Sequence, residues 1–119
     1  MERIVITGMG TINPLAHTVK DTWEMAINGV SGVGPITLFD ASEWNVKIAS
    51  EVKNFNPDQY MDFKEARRRD RFEQFAVAAA KEAIQSAGLE INDQSTHRIG
   101  VIVSSAIGGL RSLQDNIYH

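Results

Sequence analysis

The chain has 119 residues, 43% hydrophobic and 23% charged, a composition that fits an ordered globular domain and excludes a disordered one. Its formal net charge of −3 argues against bulk electrostatic binding to nucleic acid. With no cysteine, it offers no disulfide, no thiolate metal ligand and no thiol nucleophile.

The opening Met1-Glu2-Arg3-Ile4-Val5-Ile6-Thr7-Gly8 reads as a short β run closed by glycine, not as a signal peptide. No apolar run approaches the length of a membrane span, so a cytoplasmic protein without membrane association is expected. Residues 4–7 predict a buried, parallel strand. Gly8-Met9-Gly10 turns the chain, and Pro14 bars a helix through that point. Thr18 or Asp21 caps a helix reaching about Asn28, and Gly29 ends it. The breakers in residues 30–40 predict a loop, and Val46, Ile48 and Val52 predict a second strand.

The strongest signal is a helix over residues 63–87. Phe72, Phe75, Ala76, Ala79, Ala80, Ala83, Ile84 and Ala87 recur at helical spacing, mostly as alanine, which predicts close packing in a layered fold. Gly88 closes this helix. Residues 98–105 predict a third strand, and Gly108-Gly109 opens a last helix that has barely begun at His119. Strands and helices alternate, which argues an α/β domain with a mostly parallel sheet.

Gly8-Met9-Gly10 after a strand could open a dinucleotide-binding turn, but Asn13 stands where the third glycine belongs and Pro14 follows, so a tight turn is the better reading. Ser104 and Ser105 lie at a strand end without the Gly-x-Ser-x-Gly flanks of a nucleophile, and loop hydrogen bonding suits them better. His17, His97 and His119 are scattered without metal-ligand spacing and read as solvated surface residues. Lys64, Arg67, Arg68 and Arg71 fall at i, i+3, i+4 and i+7, one helix face. Residues 61–71 carry a net +2 in a chain of net −3. Such a run is either a solvated face or a docking patch for an acidic partner. Arg69 edges the apolar stripe, in line with Phe72 and Ala76, where it could pair with a buried carboxylate.

Five ordered blocks carry a family resemblance. They are Ile4-Val5-Ile6-Thr7-Gly8-Met9-Gly10 with Pro14; Trp23, Ile27, Gly29, Ser31-Gly32-Val33, Ile36 and Phe39-Asp40; Arg67-Arg68-Arg69-Asp70-Arg71-Phe72; Ser86-Ala87-Gly88-Leu89; and Arg98-Ile99-Gly100-Val101 ending in Ile107-Gly108-Gly109. Together they resemble the N-terminal part of β-ketoacyl-acyl-carrier-protein synthases, most closely the elongating type II form. The resemblance implies the first half of a thiolase-like layered α/β/α/β/α fold, with a mostly parallel sheet and helices on both faces, in a homodimer. Residues 1–119 would be a truncated part of the ketosynthase domain. The implied activity is decarboxylative condensation of acyl and malonyl thioesters in fatty-acid biosynthesis, through a cysteine thiolate and two histidines beyond residue 119. The chain alone would then be inactive, with no metal or organic cofactor implied.

Two implied roles fall on this chain. Lys64, Arg67 and Arg68 align with residues that dock acyl carrier protein, and Ile107 aligns with one that lines and gates the acyl pocket. The sequence departs from the family at Ser104-Ser105-Ala106, where Gly-Ser-Gly or Gly-Thr-Gly is usual, and at Arg69, where methionine is usual. A polyketide-type ketosynthase and a short, non-catalytic carrier-protein-binding module remain alternatives.

Overall fold

A computed structural model describes residues 3–93 and 95–118, so the His119 expectation lies outside the described residues. In chain order its elements are helix α1 (Val19–Ile27), strands β1 (Val33–Pro35) and β2 (Ile48–Ser50), and helices α2 (Phe63–Arg68), α3 (Arg71–Ala87) and α4 (Leu110–Tyr118). Short 3-10 turns lie at Pro57–Gln59 and Thr96–Arg98.

Local signals place the helix ends. Thr18 caps α1 in extended geometry, its hydroxyl accepting from the Asp21 N–H at 3.1 Å. Gly29 follows with φ +68°, the left-handed turn that glycine adopts without Cβ strain. Gly88 ends α3 in the same way at φ +59°, with the Leu89 N–H returning to the Ile84 carbonyl at 3.2 Å.

The predicted helix over 63–87 is two helices. Arg69 is extended, with ψ 138°, and ends α2; Asp70 then caps α3. The Glu73 carboxylate reaches back to the Asp70 N–H at 2.9 Å, the returning half of a capping box. A strong start signal inside the run therefore interrupts it.

The predicted loop over 30–40 contains β1, which pairs antiparallel with β2 in the register Val33↔Ser50, Gly34↔Ala49 and Pro35↔Ile48. Proline tolerates this site because a two-stranded ribbon is all edge. Glu51, just beyond β2, locks the hairpin. Its carboxylate accepts from the Thr37 hydroxyl at 2.6 Å, the Thr37 N–H at 3.1 Å and the Leu38 N–H at 3.3 Å. These bonds, led by that of the Thr37 hydroxyl, hold the Glu51 carboxyl below its ordinary 4.5.

The largest difference from expectation concerns the parallel sheet. Within the described residues the sheet is this two-stranded antiparallel ribbon. Residues 4–7 and 99–103 form no strand, and Ile4 and Ile102 are 98% and 97% exposed rather than buried. A strand exists through backbone pairing, and neither segment has a ladder partner among the described residues.

Instead, the turn after residues 4–7 and the stretch 101–105 lie along α3. Gly8 and Gly10 meet its Ala79, Ala83 and Ala87 turns so closely that a Cβ on Gly10 would stand 1.9 Å from the Ala79 carbonyl oxygen. Further toward the start of α3, Val101, Val103, Ser104 and Ser105 face Phe72, Ala76 and Ala80 across a cavity of about 530 Å³. The Glu82 carboxylate of α3 accepts from the Thr11 N–H at 2.9 Å and the Val19 N–H at 2.8 Å, satisfying the first turn of α1. Phe55 packs edge-on against Phe75 at 4.8 Å and stacks on Tyr60 at 5.5 Å.

The described residues bury little. Ala66 and Ala78 are their fully buried apolar residues, and Ala78 lies off the predicted stripe. The radius of gyration is 17.4 Å, against about 13.5 Å expected for a compact domain of this length.

Two outcomes follow from these contacts. Gly10→Ala is expected to lower unfolding stability by about 1–3 kcal/mol through overpacking against the α3 backbone. Gly100→Ala, with no heavy atom within 4 Å of its added Cβ, should be neutral. Chemical denaturation of the two variants measures the contrast, and equal stabilities would refute the close approach. Because the folded Glu51 carboxyl is depressed, its contribution is present above its ordinary value of 4.5 and lost as pH falls through the folded value. Glu51→Gln should therefore flatten the acid limb of the stability profile, read as urea midpoints from about pH 7 to about pH 3. An unchanged acid limb would remove Glu51 from the account.

Candidate functional site

The site is built around the break between α2 and α3. Asp62 caps α2, its Oδ1 accepting from the Lys64 N–H at 2.7 Å and the Glu65 N–H at 3.2 Å. Ala66 is the buried contact of this short helix, at 4% exposure. Anchored there, α2 presents Lys64, Arg67 and Arg68 to solvent. The Arg67 guanidinium sits 5.6 Å above the Phe63 ring, which orders it without removing its charge.

The helix break removes two cations from the predicted face. Arg71 opens α3, donates to the Val52 carbonyl at 2.7 Å and lies 4.9 Å over the Phe75 ring. Arg69 pairs with Glu65 at 2.8 Å, both side chains more than two-fifths exposed, instead of meeting a buried carboxylate. Lys64, Arg67 and Arg68 remain as a cationic cluster, and among the described residues Arg69–Glu65 is the ion pair that forms.

α2 is tied to α3 by Gln74. Its side-chain amide donates to the Ala66 carbonyl at 2.8 Å, which also accepts from the Arg69 N–H at 3.4 Å, and to the Arg69 carbonyl at 3.2 Å.

Ile107 lies in the loop before α4 and is 74% exposed. It does not line the cavity along α3, whose wall includes Ser104 and Ser105. The loop rests on the start of α3. The Phe72 ring lies so close to Gly108 that a Cβ there would stand 2.7 Å from two ring carbons and 2.8 Å from a third. Gly109 has φ +73° and sits beside Asp70, whose Oδ2 accepts from the Ser112 hydroxyl. The basic helix and the Ile107 loop thus flank the same turn of α3.

The histidines take different places. His97 is exposed, as expected. His17 is half-buried and edge-on to Phe55 at 5.7 Å, because the chain between α1 and the Pro14 turn folds over that aromatic group. No group of three or more His, Asp or Glu residues among the described residues could hold a metal. No helix among them is long and apolar enough to cross a membrane.

Sequence reasoning missed Asp70, Phe72 and Ser112 as supports of the loop. A signal for Asp70 was present, since Asp70-Arg71-Phe72-Glu73 has capping-box spacing. The partnership with Ser112 spans 42 residues and leaves no local pattern.

A family model for the N-terminal domain of β-ketoacyl synthases matches residues 1–117. The chain belongs to the β-ketoacyl synthase family. It is 49% identical over 113 residues to 3-oxoacyl-[acyl-carrier-protein] synthase 2 of Staphylococcus aureus strain N315, covering 95% of this chain and 27% of that protein. The synthase of the same name from Synechocystis sp. is 46% identical over 114 residues, covering 96% of this chain and 27% of the relative. The chain therefore spans about a quarter of the length of these relatives. Among solved structures, the ishigamide ketosynthase/chain length factor superposes with a TM-score of 0.63 at 34% identity, over 72% of this chain and 21% of that one. β-Ketoacyl synthases accordingly provide the fold neighbour of this open arrangement of helices and ribbon.

Within this family member, Gln74→Ala is expected to cost about 1 kcal/mol and to speed amide exchange in α2 more than in the middle of α3. Exchange rates that rise equally in both helices would show that Gln74 does not hold α2 specifically.

Proposed function

We propose that residues 1–119 form the N-terminal part of the ketosynthase domain of a 3-oxoacyl-[acyl-carrier-protein] synthase. The whole protein would condense acyl and malonyl thioesters with loss of carbon dioxide, in fatty-acid biosynthesis. The observation that carries this reading is the 49% identity, across 95% of the chain, to a protein of that name. The 34% identity to a ketosynthase/chain length factor supports the polyketide-type alternative less strongly.

In this reading the two extended segments, residues 4–7 and 99–103, become strands of a parallel sheet in a thiolase-like layered fold. Their high exposure supports this, because apolar β-branched runs gain stability only when paired and covered. The whole enzyme would be a homodimer in the cytoplasm. Nucleophilic chemistry belongs to residues outside this sequence, which has no cysteine.

This chain's part is recognition. Lys64, Arg67 and Arg68 form the face that would dock acyl carrier protein. They are exposed cations on one short helix, and that suits steering of an acidic surface more than tight anchoring. Ile107, at the edge of its loop, would line and gate the acyl pocket.

Each exposed pair at such an interface is worth about 0.2–1 kcal/mol, so single changes are mild. Arg67→Glu combined with Arg68→Glu adds repulsion and is expected to raise KM for acyl-carrier substrates about tenfold in the full-length protein. Turnover of an acyl-coenzyme A mimic should hardly change. Equal loss with both substrates would mean that α2 serves folding, and no change at low salt would mean that the face is merely solvated.

A further inference from the structure

The Ile107 loop is held by groups that the docking and gating roles leave unused. Gly108 lies against the Phe72 ring, and Gly109 lies beside Asp70 in a left-handed conformation. The Gly109 carbonyl accepts from the Leu113 N–H at 2.9 Å, so Gly109 begins the first turn of α4. One residue into that helix from Arg111, Ser112 donates its hydroxyl to Asp70 Oδ2. The Asp70 carboxylate thus lies at the N-terminal turn of α4, where a negative charge is favoured by the helix dipole.

Each contact removes one freedom from the loop. The ring fixes the height of Gly108 above α3. The Asp70–Ser112 bond fixes the start of α4 along the α3 axis. Ile107 precedes Gly108 directly, so its Cα position follows from both. Asp70 also begins the turn that carries Gln74, whose amide holds the last carbonyls of α2.

We propose that Asp70, Phe72 and Ser112 are positioning residues that hold the Ile107 loop against the start of α3 and so set which acyl lengths it admits. The proposal rests on the ketosynthase reading above and assigns acyl selectivity to a cross-link outside Ile107 itself. Loss of the cross-link lets Ile107 move, which alters passage of a long chain more than of a short one.

The test uses full-length enzyme with Ser112→Ala, an exposed helical site where alanine is a good helix former, and with Ser112→Thr, which keeps the hydroxyl. The readout is the ratio of kcat/KM for tetradecanoyl to butanoyl thioesters of acyl carrier protein. Ser112→Ala should change this ratio about threefold or more while butanoyl turnover persists, and Ser112→Thr should restore it to within about twofold. An unchanged ratio in an active Ser112→Ala enzyme overturns the proposal and leaves the functional reading intact. Equal loss with both substrates, or a shifted ratio without rescue by threonine, also overturns it. A wild-type enzyme that condenses neither thioester overturns the functional reading, and the proposal with it.

Discussion

The close approach of Gly8 and Gly10 to α3 is the constraint on which the remaining packing depends. An alanine-rich helix has little side-chain bulk to bury, so it contributes by letting backbone come near. At Gly10 the approach is so tight that a single added carbon would overlap a peptide carbonyl. Once the N-terminal segment lies there, Thr11 is within reach of Glu82, and Val19 can take the other oxygen of the same carboxylate. The position of α1 is therefore a consequence of how two glycines meet three alanines.

The second organising point is the turn at Asp70. It ends the reach of α2, begins α3 and receives the first turn of α4. A carboxylate can serve both helices because it has two oxygens and accepts without donating. The basic cluster and the Ile107 loop are neighbours of this turn, though they lie some forty residues apart in sequence.

What could be read from sequence was what is decided locally. Thr18, Gly29 and Gly88 mark helix ends because capping and left-handed turns involve residues a few places apart. The break at Asp70 had a local signal too, but the strong apolar period across it favoured one long helix. That choice placed Arg71 on the basic face and Arg69 beside the apolar stripe, whereas the real break turns each toward another partner. Glu51, Glu82 and Ser112 act across 13 to 71 residues, and no short pattern announces such bonds. Strands at residues 4–7 and 99–103 were inferred from composition, which reports a taste for pairing and not the presence of a partner. The basic cluster at Lys64, Arg67 and Arg68 survived because i, i+3 and i+4 fit within six helical residues.

The Glu82 carboxylate has a consequence for the order in which this protein is made. A ribosome delivers the N-terminus first, at about 5–20 residues per second. Val19 and Glu82 are separated by 63 residues, so about 3–13 seconds of synthesis pass between them at that pace. During that interval the leading N–H of α1 has only water to accept from it, and Gly8 and Gly10 have no helix to lie on. The turn over residues 8–11 must wait undocked, and its docking is timed by the emergence of a helix encoded much later in the message.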